Sequence, residues 1–151
     1  MRGSAVHNEW FLYGIEDKTE KFTMIPVSEI LAISPQIVDF IENTKYHVDD
    51  YFKYLVGVTP SESAKPVQVR LKITSDIIET VKKHPFHHTQ IVEDCMDGAT
   101  VDMKVMINKD LTEKVLRYGS KVKVELPDKF RKTIADEHKK SSETTVQLSL
   151  F

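Results

Sequence analysis

Three histidines stand close together in this chain, His84, His87 and His88, around Pro85-Phe86. Imidazoles hold zinc as members of a set of three or four ligands, and no cysteine or carboxylate lies at ligand spacing beside these. Their expected role is a loop that orients the next strand, with no metal bound. The single cysteine, Cys95, lies beside Asp94 and Asp97 with no cation or helix N-terminus to stabilise a thiolate. The five glycines are isolated from one another, so no glycine-rich phosphate loop exists. No Ser/His/Asp or Cys/His arrangement stands out. The expectation is therefore no catalytic residue, no cofactor and no enzyme. What remains is recognition chemistry. Trp10, Phe11, Leu12 and Tyr13 offer stacking or packing surface, and Arg70, Lys72, Lys121 and Lys123 offer positive charge. Gln147-Leu148-Ser149-Leu150-Phe151 ends the chain on an apolar note.

The elements that position these residues are clearest between 67 and 127. Val67, Val69, Leu71 and Ile73 alternate with Gln68, Arg70 and Lys72, the period of a half-buried strand. Ser75 can cap a helix whose apolar stripe is Ile77, Ile78 and Val81 and which Pro85 stops. Thr89 to Cys95 reads as a strand, Met96-Asp97-Gly98 as a turn, and Val101, Met103, Val105 and Ile107 as the returning strand of a hairpin. Asn108 can cap a second helix with Leu111, Val115 and Leu116 on one face and Gly119 at its C′ position. Val122, Val124 and Leu126 form a last strand before Pro127. Strand, helix, strand, strand, helix, strand is the ferredoxin-like βαββαβ order. Both helices should back one face of an antiparallel sheet, leaving Gln68, Arg70, Lys72, Asp102, Lys104, Lys121, Lys123 and Glu125 on an open polar face. Such a face suits a solvated or docking surface rather than an enclosed active site.

The N-terminal part is smaller and more aromatic. Residues 1–7 read as a tag-like or disordered start. Residues 8–58 form a β unit with a helical segment: an aromatic strand from Asn8 to Gly14, a second strand-like run from Phe22 to Ile33 interrupted by Pro26, and helical spacing in Val48, Tyr51, Phe52 and Leu55. Residues 59–66 have linker composition, and 67–140 hold the βαββαβ unit and a third helix from Asp128 to Lys140. Residues 141–151 read as a flexible tail. At 151 residues, 40% apolar and 29% charged, the chain has the composition of a soluble globular protein. Its net charge of −2 gives no global attraction to nucleic acid or anionic membranes. No apolar run approaches membrane-spanning length and no signal peptide precedes the first strand. One unpaired cysteine fits a reducing, cytoplasmic setting.

Several segments, in order, resemble WYL-domain proteins. Trp10-Phe11-Leu12-Tyr13-Gly14 resembles the strand that names that domain, and His84-Pro85-Phe86-His87-His88-Thr89-Gln90 resembles a segment of its C-terminal extension. Tyr51-Phe52 ahead of Gly57-Val58, Leu116-Arg117-Tyr118-Gly119, the strand ending at Pro127 and the basic helix with Phe130-Arg131 keep the same order. The resemblance implies an α+β fold: a partial SH3-like β unit, then a ferredoxin-like βαββαβ domain with a C-terminal helix. It implies a ligand-sensing and oligomerisation module of a bacterial transcriptional regulator, with a nucleotide or nucleic-acid ligand. The chain departs from the family in having no helix-turn-helix and no opening barrel strands, so a fragment or shortened gene product is expected. It also places Glu29 where the family carries an arginine that would meet a phosphate. Trp10, Phe11, Leu12 and Tyr13 have two readings, ligand contact and core packing.

The tail Gln147-Leu148-Ser149-Leu150-Phe151 resembles the pentapeptide with which bacterial replication and repair proteins dock on the sliding clamp. Two further functions are therefore open beside the regulator: a clamp-tethered accessory protein of DNA metabolism or defence, and a single-stranded nucleic-acid-binding module using the aromatic strand with Arg70, Lys72, Lys121 and Lys123. The open edges of an incomplete β unit predict a homo-oligomer, at least a dimer.

Overall fold

In the computed structural model, residues 2–4, 9–19, 22–35, 37–39, 42, 48–61 and 65–148 are described, with side chains left aside at 2–4, 48 and 141–148. The chain is α+β, and its described residues form two antiparallel sheets and four α-helices.

The larger sheet is built from β4 (Val67–Ile73), β5 (Ile91–Cys95), β6 (Gly98–Val105) and β7 (Val122–Leu126), in the order β5-β6-β4-β7 with every pair antiparallel. The period-2 alternation does what it predicts. Val69, Leu71, Ile73, Val101, Met103 and Val105 are buried on one face, while Gln68, Arg70, Lys72 and Lys104 are exposed on the other. Two helices cover the apolar face, α2 (Ile78–Lys83) and α3 (Lys109–Leu116), and α4 (Asp128–Leu148) adds Phe130 and Ile134 to the same core. Gly98, at φ 144°, closes the β5–β6 hairpin. A Cβ there would stand 2.0 Å from the Ile73 carbonyl oxygen, so only glycine lets β6 begin against β4.

Asn108 caps α3 as expected, its Oδ1 accepting from Leu111 N–H at 2.9 Å. Ser75 does not cap α2. It opens a 3₁₀ turn, Ser75–Ile77, that feeds the helix, and no side chain caps that turn's first residues. The last helix also runs further than composition suggests: its backbone stays helical through Leu148 rather than ending at Lys140. Residues 141–148 contain no glycine or proline to break it.

The N-terminal sheet is three-stranded, β1 (Arg2–Ser4), β2 (Glu9–Ile15) and β3 (Phe22–Pro26), in chain order and antiparallel. Arg2 to Ser4 pairs opposite Phe11, Trp10 and Glu9, so part of the tag-like start is a strand. The run expected to reach Ile33 ends as strand at Pro26, where a 3₁₀ turn, Val27–Glu29, takes over. α1 (Val48–Lys53) follows. Residues 36, 40, 41, 43–47 and 62–64, which include parts of the expected helical and linker segments, lie outside the described residues.

Candidate functional site

The aromatic strand splits by face. Phe11 is buried at 5% exposure, whereas Trp10 and Leu12 stand 60% and 42% exposed. Register places Ile25, 41% exposed, directly opposite Leu12. Opposed residues of an antiparallel pair share a face, so Trp10, Leu12 and Ile25 form an exposed apolar patch on one side of the small sheet. Tyr13 points the other way. Its ring lies 4.8 Å from Phe52 and 5.8 Å from Phe22, and Phe22 meets Tyr51 at 4.8 Å. This aromatic cluster packs β2 and β3 onto α1. Of the four strand residues proposed as ligand contacts, then, Phe11 packs inward, Tyr13 is part of the cluster, and Trp10 and Leu12 face outward.

Glu29, at the position of the family arginine, is exposed, and the neighbouring Ser28 hydroxyl donates to the Glu9 carboxylate.

A joint that local patterns do not reveal links α1 to the larger sheet. Gly57 adopts φ 66°, and the segment after it lies against the first turn of α3. The Asp110 carboxylate accepts from Val58 N–H at 2.7 Å, Thr59 N–H at 2.9 Å and Thr59 Oγ1 at 2.8 Å. Asn108 Nδ2 donates to the Val56 and Thr59 carbonyls, each at 2.7 Å. Met106 N–H donates to the Tyr54 carbonyl at 2.8 Å, and Ser61 Oγ to the Ile107 carbonyl at 2.6 Å. Thr59 and Ser61, expected in a linker, are thus held by side chains and carbonyls of the β6–α3 junction.

The histidine loop is stitched in place by its neighbours. Phe86 N–H donates to Gln90 Oε1 at 2.9 Å, and Gln90 Nε2 donates back to the Val81 carbonyl at 3.1 Å. Lys114 Nζ donates to the Pro85 and Phe86 carbonyls at 2.7 and 3.2 Å and lies over the Phe86 ring. Burial, and then the nearby Arg117, lower the Lys114 pKa. His87 is buried, its Nδ1 at 2.9 Å from Thr89 Oγ1, and its ring packs against His88 with centroids 4.1 Å apart. Thr89 Oγ1 donates to the Lys104 carbonyl at 3.1 Å, aligning the loop with β6. Among the described residues, no group of three or more His, Cys, Asp or Glu is placed to hold a metal ion. Cys95 is exposed.

The open face of the larger sheet is ordered by register into two rows. Ile91, Asp102, Arg70 and Leu126 lie side by side across β5, β6, β4 and β7, and Glu93, Thr100, Lys72 and Lys123 form the next row; between the rows the β4–β7 register shifts at Arg70/Leu71, leaving Glu125 as the extra residue of β7, with its charge acting on Arg70. Arg70 Nε lies 2.9 Å from Asp102 Oδ1, and that hydrogen bond, with the Asp102 charge, raises the arginine pKa. Lys121 does not belong to this face. It sits in the 3₁₀ turn before β7 and is ion-paired with Asp76 at 2.7 Å, the contact that chiefly lowers the Asp76 pKa. Of the four cations proposed for the face, Arg70, Lys72 and Lys123 are brought together. Ile91, Glu93 and Leu126 also belong to it and were missed. The turn at Met96-Asp97, which sets Cys95 opposite Gly98, fixes the place of Ile91 and Glu93.

In the tail, Gln147 and Leu148 carry helical backbone, and Ser149, Leu150 and Phe151 lie outside the described residues. No described helix is long and apolar enough to cross a membrane.

Against known proteins, no curated protein matches the chain. A WCX domain matches residues 65–141, which takes in the larger sheet, α2, α3 and most of α4. This is a C-terminal domain associated with WYL proteins, which are of regulator type. The stretch it covers is the one whose apolar face is closed by helices and whose polar face is open, and on that match over half of its length the chain belongs to the WCX-domain family.

Proposed function

We propose that this chain is a non-catalytic ligand-sensing and oligomerisation module of a WYL-type transcriptional regulator. The observation that carries the reading is the WCX match over a fold that closes one sheet face with helices and leaves recognition surface outside. An exposed tryptophan beside Leu12 and Ile25 is surface of the kind that bases and other planar ligands stack on. The histidine loop is engaged in orienting β5 and β6.

Trp10 is the only tryptophan in the chain, so its emission reports on that patch alone. Nucleotides and short single-stranded oligonucleotides are titrated while Trp10 fluorescence is followed, and the mass in solution is read by light scattering. The reading expects saturable quenching by one of the two ligand classes and a mass above that of the monomer. A monomer through the whole concentration range, with Trp10 emission unmoved by either ligand class, overturns it.

A further inference from the structure

We propose that the open face of the larger sheet is a docking surface for a second copy of this chain, related by a two-fold axis that runs along the β6–β4 seam. The inference rests on the oligomerisation part of the function proposed above and names the surface that performs it. Its ground is the order of residues in the two rows. Across the strands one row reads apolar, acid, base, apolar (Ile91, Asp102, Arg70, Leu126). The next reads acid, hydroxyl, base, base (Glu93, Thr100, Lys72, Lys123).

Rotation about an axis parallel to the strands lays β5 over the partner's β7 and β6 over the partner's β4, without shifting the rows. Ile91 then meets the partner's Leu126, and these two are 62% and 44% exposed in the single chain. Asp102 meets the partner's Arg70, Thr100 meets the partner's Lys72, and Glu93 meets the partner's Lys123. Each contact occurs twice, as a two-fold interface requires. The rotation keeps the strands of both sheets aligned, one of the two common ways in which sheets stack.

A second observation concerns charge. Lys72 and Lys123 are directly opposed on neighbouring strands, where like charges are unfavourable. Elsewhere in this domain Arg70 pairs with Asp102, Lys121 with Asp76, Lys82 with Asp94 and Arg131 with Asp128. Among the described residues, Lys72, Lys123 and Glu93 form no ion pair. Glu93 cannot serve Lys123 in its own chain, because three strand spacings, about 14 Å, separate them. Within the chain Glu125, two residues along the strand from Lys123, and Glu93 add their charge to Arg70; the two-fold brings a carboxylate directly over Lys123. The face spans on the order of 20 by 20 Å, or about 800 Å² counted over both partners, which is below a standard interface. The dimer is therefore weak and sensitive to salt.

The experiment is sedimentation velocity on the full chain over a range of concentration and salt, with Glu93→Lys and Lys123→Glu as single variants. Each reversal turns two attractive contacts into two repulsive ones and should weaken self-association by about tenfold. An equimolar mixture of the two variants restores association, because E93K against K123E pairs correctly at both contacts. The mixture also guards against a trivial loss of folding. Variants that associate like the parent refute this surface and leave the oligomerisation reading standing, whereas a monomeric parent refutes both. Reversals that lose association without recovery on mixing overturn the proposal. So does a parent that stays monomeric while Lys123→Glu abolishes binding of a single-stranded oligonucleotide, which would assign Lys72 and Lys123 to phosphates instead.

Discussion

Replacing Gly57 by alanine tests the joint between the N-terminal sheet and the WCX domain. Two costs are readable from the geometry. At φ 66° a residue with a side chain is in the left-handed region, which costs about 1–2 kcal/mol. The new Cβ would also stand 2.1 Å from Asp110 Oδ2, 2.7 Å from Cγ and 2.8 Å from Cβ. Turning the carboxylate does not relieve a clash that includes Asp110 Cβ, so the segment must lift from α3. Asp110 accepts three hydrogen bonds there, from Val58 N–H, Thr59 N–H and the Thr59 hydroxyl. Hydrogen bonds to a charged group contribute about 1.5–3 kcal/mol each, so losing one of them brings the total to about 3–5 kcal/mol. For a chain of this size that lowers Tm by roughly 10 °C. Gly119→Ala is the control. Gly119 has φ 57° but nothing within 4 Å of its missing Cβ, so it carries the backbone cost alone. Thermal unfolding followed by circular dichroism and by Trp10 emission compares the two. If G57A and G119A cost the same within about 0.5 kcal/mol, the carboxylate clamp has no energetic role and the reasoning fails.

Phe130 is almost fully buried, and Phe130→Ala should destabilise by about 3–5 kcal/mol in denaturant unfolding. A loss under about 1 kcal/mol would mean that α4 is an appendage rather than part of the core. Lys114 gives a pH prediction. Burial, then Arg117, lower its pKa in the folded protein below the ordinary 10.5, so between the folded and unfolded values the unfolded chain holds more protons. Stability contributed at this site therefore rises as pH climbs from the folded value toward 10.5. Lys114→Met removes that rise, so the stability difference between parent and variant should grow in favour of the parent over this window. A difference flat with pH would contradict the assignment.

Much of the WCX part was legible because its information is local. Val67 to Ile73 and Val101 to Val105 alternate cleanly, Met96-Asp97-Gly98 marks the hairpin, and Leu111 and Val115 share a helical face behind the Asn108 cap. What stayed hidden is not local. Asn108 reads as a cap, and it is one, but its amide also binds the Val56 and Thr59 carbonyls some fifty residues back. No period announces a contact at that separation. Asp110 reads as an ordinary acidic residue in a first helical turn, where negative charge is favourable in any case. The far end of α4 is hidden for another reason. Ser141 to Thr145 is polar, which suggests flexibility, yet serine and threonine disfavour a helix only slightly and no breaker intervenes. Strand alternation carried one residue upstream of Val122 puts Lys121 on the open face, but that residue already belongs to the turn that Gly119 begins.

The hydrogen bonds at Val58 bear on how the two sheets communicate. Tyr13 on the aromatic strand donates its hydroxyl to the Val58 carbonyl, and Val58 N–H donates to Asp110 in α3. One residue is thus gripped from both sides, by the strand that carries Trp10 and by the helix that backs the larger sheet. Tyr13 and Trp10 lie on the same strand but one positions the segment and the other faces outward, so a ligand bound at Trp10 as proposed would act on β2 without entering the aromatic cluster. Any displacement of β2 along its own axis must then stretch the Tyr13–Val58 contact or drag Val58 against Asp110, because Gly57 on one side and Asn108 on the other hold the segment's backbone. A joint of this stiffness carries force rather than absorbing it. That is what the sensing module proposed above would need between its ligand surface and the sheet proposed to meet a second copy, and a flexible linker at Thr59 could not supply it.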